Sequence, residues 1–187
     1  VVGSVGLRAQ SVSIEVMLQQ RVALAQTVAA HVDYHINYML EELKSVATEP
    51  TFDPSDNNLE PEKIALDDLY RSGMFTFDVF VTDARGNVLA VTPDIPGVLG
   101  ADFSKHPHIR RALDTGQAQV SGVIPGVVIT KPLVSLVVPV RNSRNEITGV
   151  IGGAFDPTGP TVSGFIAPMA LGETGYAQVI DGQGTVI

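Results

Sequence analysis

An α+β fold with a five-stranded antiparallel sheet, flanking helices and a long N-terminal helix is predicted by three features of this 187-residue chain. Apolar residues first recur at steps of three or four, the period of an amphipathic helix. After residue 73 the period changes to the alternation of strands. The strands are joined by short polar turns or a brief helix, and not by the repeated long crossovers that a parallel sheet needs. A hydrophobic content of 44% is enough for one sizeable core, and it excludes a wholly disordered chain.

The first element is carried by Ile14, Leu18, Val22, Ala25, Val28, Val32, Ile36, Met39, Leu43 and Val46, which predict one helix from Ser11 to Val46. Such a length exceeds what one small core needs, so part of the stripe is expected to pack against a partner helix in a homodimer instead of on its own domain. EPTFDPSDNNLEPEK then breaks the pattern with three prolines and many acids, and predicts a loop. ALDDLYRSG reads as a short helix closed by Gly73.

FTFDVFVTD, the turn ARGN and VLAVTP predict a hairpin. A short helix follows from HPHIRRAL, stopped by Gly116. Three more strands are expected in QAQVSGVI, KPLVSLVVPV and EITGVIGGAF, the last two joined by the turn RNSRN, with the helices on one side of the sheet. Residues 81–90 (VTDARGNVLA) and 179–187 (VIDGQGTVI) share a hydrophobic pair, Asp, two residues, Gly, one residue and Val. The repeat implies a second sheet opening near the C-terminus, although turn chemistry alone also favours D-x-x-G. The organisation expected is a long helix over residues 1–50, a module over 51–165, and a linker with the start of a second module over 166–187.

Charge and composition narrow the function. A net charge of −8 repels a phosphate backbone, so nucleic acid is not an expected partner. The absence of cysteine removes thiolate metal sites, disulfides and cysteine nucleophiles together. No apolar run reaches the ~18 residues that a membrane span needs. The small apolar start and the strand-like end read as those of a fragment cut from a membrane-anchored protein. Neither G-x-S-x-G nor G-x-x-x-x-G-K-[ST] occurs, and the acids cluster in the Pro-rich loop and in turns, so no enzyme is expected.

Two histidine pairs remain. His31 and His35 are spaced i, i+4 on the long helix, but H-V-D-Y-H lacks the glutamate of H-E-x-x-H, so they read as helix surface or dimer seam. His106 and His108 flank Pro107, which suits the first helical position and makes His106 the N-cap. Three or four converging ligands would be needed for zinc, and neither a metal nor any other cofactor is expected.

The run DFSKHPHIRRALDTGQAQVSGVIPGVVITKPLVSLVVPVRNSRNEITGVIGGAF resembles the core of a Cache domain, the extracytoplasmic PAS-like sensor module of bacterial receptors. The resemblance spans Phe75 to Phe155, and the preceding helix fits the family's membrane-emerging helix. GETGYAQVIDGQGTVI is similar to the opening of the membrane-proximal module in double-Cache receptors. The resemblance implies a PAS-like sheet in an extracytoplasmic sensor of a membrane receptor whose output is a histidine kinase, a chemoreceptor or a cyclic-dinucleotide enzyme.

Amino-acid-binding members of that family carry Arg before the helix-start proline, aromatic residues after it, and an Asp at the end of the last strand. Here His106 stands at the Arg position, His108 and Ile109 at the aromatic ones, and Ala154 at the Asp one. With no carboxylate at 154 to meet an ammonium, amino acids are disfavoured and a small uncharged or anionic molecule, such as a short carboxylate, is expected instead. The pocket residues expected are His106, His108 and Ala154, with Ser121 and Ser135 as polar interruptions of apolar strands and Lys131 as a source of positive charge. The rival reading is a structural or dimerisation module with a vestigial pocket.

Overall fold

The computed structural model describes residues 3–56, 58–125 and 131–159, with the single positions 180 and 184; for residues 3–14 it describes backbone only. The second module expected over 166–187, and the second copy of the repeat, lie outside the described residues.

Helix α1 runs from Gly3 to Ala47, longer at both ends than the apolar pattern alone marks. Its last turns are tied down by Met39, Leu43 and Ala47, which are buried. Farther toward the N-terminus Val16, Met17, Leu18, Val22 and Leu24 are exposed, so the apolar stripe outruns the domain it is rooted in. No described helix is long and apolar enough to cross a membrane.

Helix α2 spans Glu60–Arg71 and so begins inside the stretch predicted as loop. Its proline falls in the first turn, where the missing N–H would have had no intrahelical partner, so the residue that signals a break here starts the helix. Gly73 follows the helix at φ 76°. Helix α3, Pro107–Thr115, ends on Gly116 at φ 65°, the left-handed conformation that glycine adopts without a Cβ penalty.

The strands are β1 (Asp78–Thr82), β2 (Val88–Thr92), β3 (Gln119–Val120), β4 (Ile124–Pro125), β5 (Pro132–Arg141) and β6 (Ile147–Phe155). They pair antiparallel in the order β2-β1-β6-β5-β3, with β4 also on β5. The β1–β2 turn is held by Asp83, whose Oδ1 accepts from the N–H groups of Arg85 and Asn87 at 2.8 Å. QAQVSGVI is two short strands instead of one. At the break the Ser135 N–H donates to Ser121 Oγ at 2.9 Å, while the Ser121 N–H donates to the Ser135 carbonyl at 2.8 Å.

The sheet is covered on both faces, which corrects the expectation of helices on one side. Val79, Val81, Leu136, Val138 and Ile151 join α1 and α2 in one core. Phe80, Val137 and Val150 join Ile95, Val98, Phe103, Ile109 and Ala112 in the other. The strands bear this out: β1 is buried at all five positions, and β6 at eight of nine, so neither strand presents a solvated face.

Candidate ligand-binding site

Antiparallel register places side chains in rows across a sheet. On the α3 face one row runs Asp78, Ala154, Ser135, and the next runs Phe80, Gly152, Val137. The first row, with Phe80 of the second, forms the floor of a cavity. Its lip is the turn that enters α3, where His106 sits in extended conformation as the N-cap and Pro107 opens the helix. The cavity leaves about 40 Å³ open to the centre of a water-sized sphere. That is room for a few waters or a small organic molecule. Aromatic and aliphatic walls come from Phe77, Phe80, Ile95, Val98, Phe103 and Leu133.

Four of the six expected residues meet there: His106, His108, Ser135 and Ala154 all line the cavity. His106 and His108 sit 5.9 Å apart between ring centroids, and Phe103 stacks edge-on against His106 at 5.5 Å. Ser121 and Lys131 are engaged elsewhere. Ser121 serves the β3–β5 ladder through its hydroxyl, which also donates to the Gly122 carbonyl at 2.6 Å. The Lys131 ammonium stands 3.7 Å from the Asp156 carboxylate at the sheet edge. Arg110 pairs with Asp114 at 3.2 Å on the outer side of α3.

Asp78 is the cavity residue that sequence reasoning passed over. It lies directly opposite Ala154, in the cavity wall, only 6% exposed. Position 154 has no carboxylate, but the neighbouring strand supplies one beside it. The available signal was Asp78 itself, an acid in the apolar run FTFDVFV. Its burial follows from the second layer over that face, which the strand pattern alone does not show.

Burial sets the protonation of the cavity. Asp78 is pushed up to about 7 by desolvation, against a smaller opposing pull from the Ala154 backbone. His108 is pushed down to about 4, first by desolvation and then by the neighbouring His106, so it is neutral at pH 7. Asp78 Oδ1 and His108 Nε2 are both buried with no hydrogen-bond partner. Buried polar atoms are nearly always paired, so two lone ones on one cavity are poised to meet a molecule placed inside it.

Three or more His, Cys, Asp or Glu side chains able to hold a metal do not come together among the described residues. His31 and His35 lie on α1, with ring centroids 4.9 Å apart.

No family model matches the chain, and no curated protein matches it. Solved structures match in fold. An extracellular ligand-binding receptor from Desulfohalobium retbaense superposes with a TM-score of 0.73 at 20% identity, over 90% of this chain and 30% of that one. The ligand-binding domain of the Pseudomonas aeruginosa amino acid chemoreceptor PctB, in complex with L-Arg, gives 0.71 at 19% identity, over 90% of this chain and 63% of that one. The Escherichia coli DcuS sensor domain gives 0.58 at 18% identity, over 72% of this chain and 96% of that one. The chain thus spans less than a third of the first and under two thirds of the second, while holding almost the whole of the third. Its fold is that of extracellular sensor domains, the fold that the Cache resemblance implied.

Proposed function

We propose that this chain is the extracytoplasmic ligand-sensing part of a bacterial transmembrane receptor of the histidine kinase or chemoreceptor type, and that it binds a small molecule in the cavity beneath the start of α3. The observation that carries the reading is the pair of buried, unpartnered polar atoms, Asp78 Oδ1 and His108 Nε2, on one apolar cavity. The shared fold of solved extracellular ligand-binding domains supports it. The role is binding and not catalysis.

The same strands connect the cavity to the long helix. β5 and β6 present one face to the cavity and pack the other against α1. A ligand that binds one arrangement of these strands better than another biases the position of α1, and through it the receptor. The exposed apolar residues of α1 suit a homodimer through that helix, with the membrane anchor outside this chain.

A short carboxylate, the ligand class expected from Ala154, would find the imidazoles of His106 and His108 and the N–H groups of the α3 start. It would find no lysine or arginine in the lining among the described residues. The experiment is a thermal-shift screen of the chain against carboxylates, amino acids, amines and sugars. A shift that His106→Ala and His108→Ala abolish, with circular dichroism unchanged, supports sensing. No shift with any class would favour a structural module with a vestigial pocket.

A further inference from the structure

Building on the sensing role proposed above, we propose that the cavity takes a small organic amine with a short apolar body, held by Asp78 as counter-charge and by His108 Nε2 as a second acceptor, with no subsite for a ligand carboxylate.

Asp78 is a buried carboxyl in an apolar wall, and its Oδ1 meets no donor. An ionised carboxylate in such surroundings is costly unless a cation reaches it. Among the described residues no lysine or arginine lines the cavity. The cations near its rim are already matched outward: Lys105 to Asp102, Arg110 to Asp114, and Lys131 to Asp156. The balancing charge is therefore left to the ligand, and a protonated amine brings both the charge and the N–H donors.

The remaining walls agree. A neutral imidazole with its proton on Nδ1 offers Nε2 as an acceptor, a second site for an ammonium N–H. A carboxylate in the same place would lie against Asp78, and like charges at short range are penalised. The space and the walls suit a body of a few carbons, such as a propyl or isobutyl group.

The groups that face Asp78 can be named from each element around it. α3 and its N-cap present His106 and His108; β6 and β5 present Ala154 and Ser135; β4 and the segment before α3 present apolar side chains. No other titratable group lines the cavity among the described residues. Acid therefore acts in one direction only: it protonates Asp78 and then charges His108, and both oppose an ammonium. Amine affinity should fall as pH drops below 7, approaching tenfold per pH unit.

The test is isothermal titration of the chain with n-propylamine and isobutylamine, beside the isosteres n-propanol, isobutyramide, propionate and isobutyrate, at pH 5.5 and pH 8. Expected are binding of the amines at pH 8, at least about tenfold weaker binding of every isostere, a loss of at least about tenfold at pH 5.5, and loss of amine binding in Asp78→Asn. Binding of a carboxylate or neutral isostere as tight as the amine, or an Asp78→Asn protein that binds amine as before, overturns the amine assignment and leaves the sensing role standing. If no compound of any class binds, both fall together.

Discussion

Asp78 stands directly across the β1–β6 pair from Ala154, and Ser135 stands across β5–β6 from the same alanine. The alanine methyl is what keeps the row Asp78–Ala154–Ser135 open as a cavity floor. It also leaves Asp78 as the only carboxyl in the lining among the described residues. A second carboxylate beside it would share its desolvated site, and two such groups cannot both ionise there.

Ala154→Asp is therefore expected to destabilise the fold at pH 8 by about 2 to 4 kcal/mol, because a second charge is buried with no partner. Much of that loss should return at pH 4.5, where the pair can hold protons. Urea denaturation at the two pH values measures the difference. Equal stability at both would mean that position 154 has access to water.

Asp78 and His108 should impose opposite pH dependences. For Asp78 the folded value, about 7, lies above the ordinary 3.8, so its contribution is fully present below pH 4 and is lost as pH rises toward 7. For His108 the folded value, about 4, lies below the ordinary 6.5, so its contribution is fully present above 6.5 and is lost as pH falls toward 4. Each change is worth about 3 to 4 kcal/mol at most. Between pH 4.5 and 6.5 the two slopes should largely cancel in the parent chain. In Asp78→Asn, stability should rise with pH over that window; in His108→Gln it should fall. Denaturation midpoints across the pH range read this directly, and two flat profiles would show that neither group is desolvated as the cavity requires.

How far the sequence led can be judged from these residues. The period of Ile14 to Val46 shows the long helix because a helix with one wet side must alternate its polarity. His106 and Pro107 mark the entry to α3 because capping chemistry is local. Ser121 stands out in the sequence as a polar break in an apolar strand. Whether its hydroxyl turns to a ligand or to the Ser135 N–H depends on strand pairing fourteen residues away, which no local pattern records. Asp78 was missed for the same kind of reason. Its neighbours Ala154 and Ser135 come from distant strands, and its burial depends on the layer of Ile95, Val98 and Phe103 above it.

Ser121 and Lys131 should then behave as structural residues. Ser121→Ala leaves the Ser135 N–H without its acceptor and is expected to cost about 1 to 2 kcal/mol. Lys131→Ala removes an ion pair whose lysine side chain is 67% exposed, and should cost less than about 1 kcal/mol. For Lys131→Ala the affinity for any cavity ligand should change by less than about twofold, since screened charges at that position act weakly. A large loss of affinity in Lys131→Ala, measured by titration, would place its ammonium in the site after all.

Gly152 pairs with Phe80 across β1–β6, in the row beside the cavity floor, and the close approach of the ring is possible because it has no Cβ. A methyl built there would lie 2.6 Å from Phe80 Cζ and 2.7 Å from Val137 Cγ1. The backbone of β6 is fixed by ladders on both sides, so the ring must give, and the open direction for it is the cavity. Gly152→Ala should thus destabilise by about 1 to 3 kcal/mol, as overpacking does, and weaken ligand binding more than it weakens the fold. Val137→Ala removes the other colliding side chain. In the double variant the methyl still meets Phe80, but the ring can slide toward the space that Val137 vacates and need not enter the cavity, so affinity should recover even though each single change costs stability. A cycle of titrations on the four proteins checks the coupling. If the two substitutions simply add in binding, Phe80 does not form the wall against which the ligand rests.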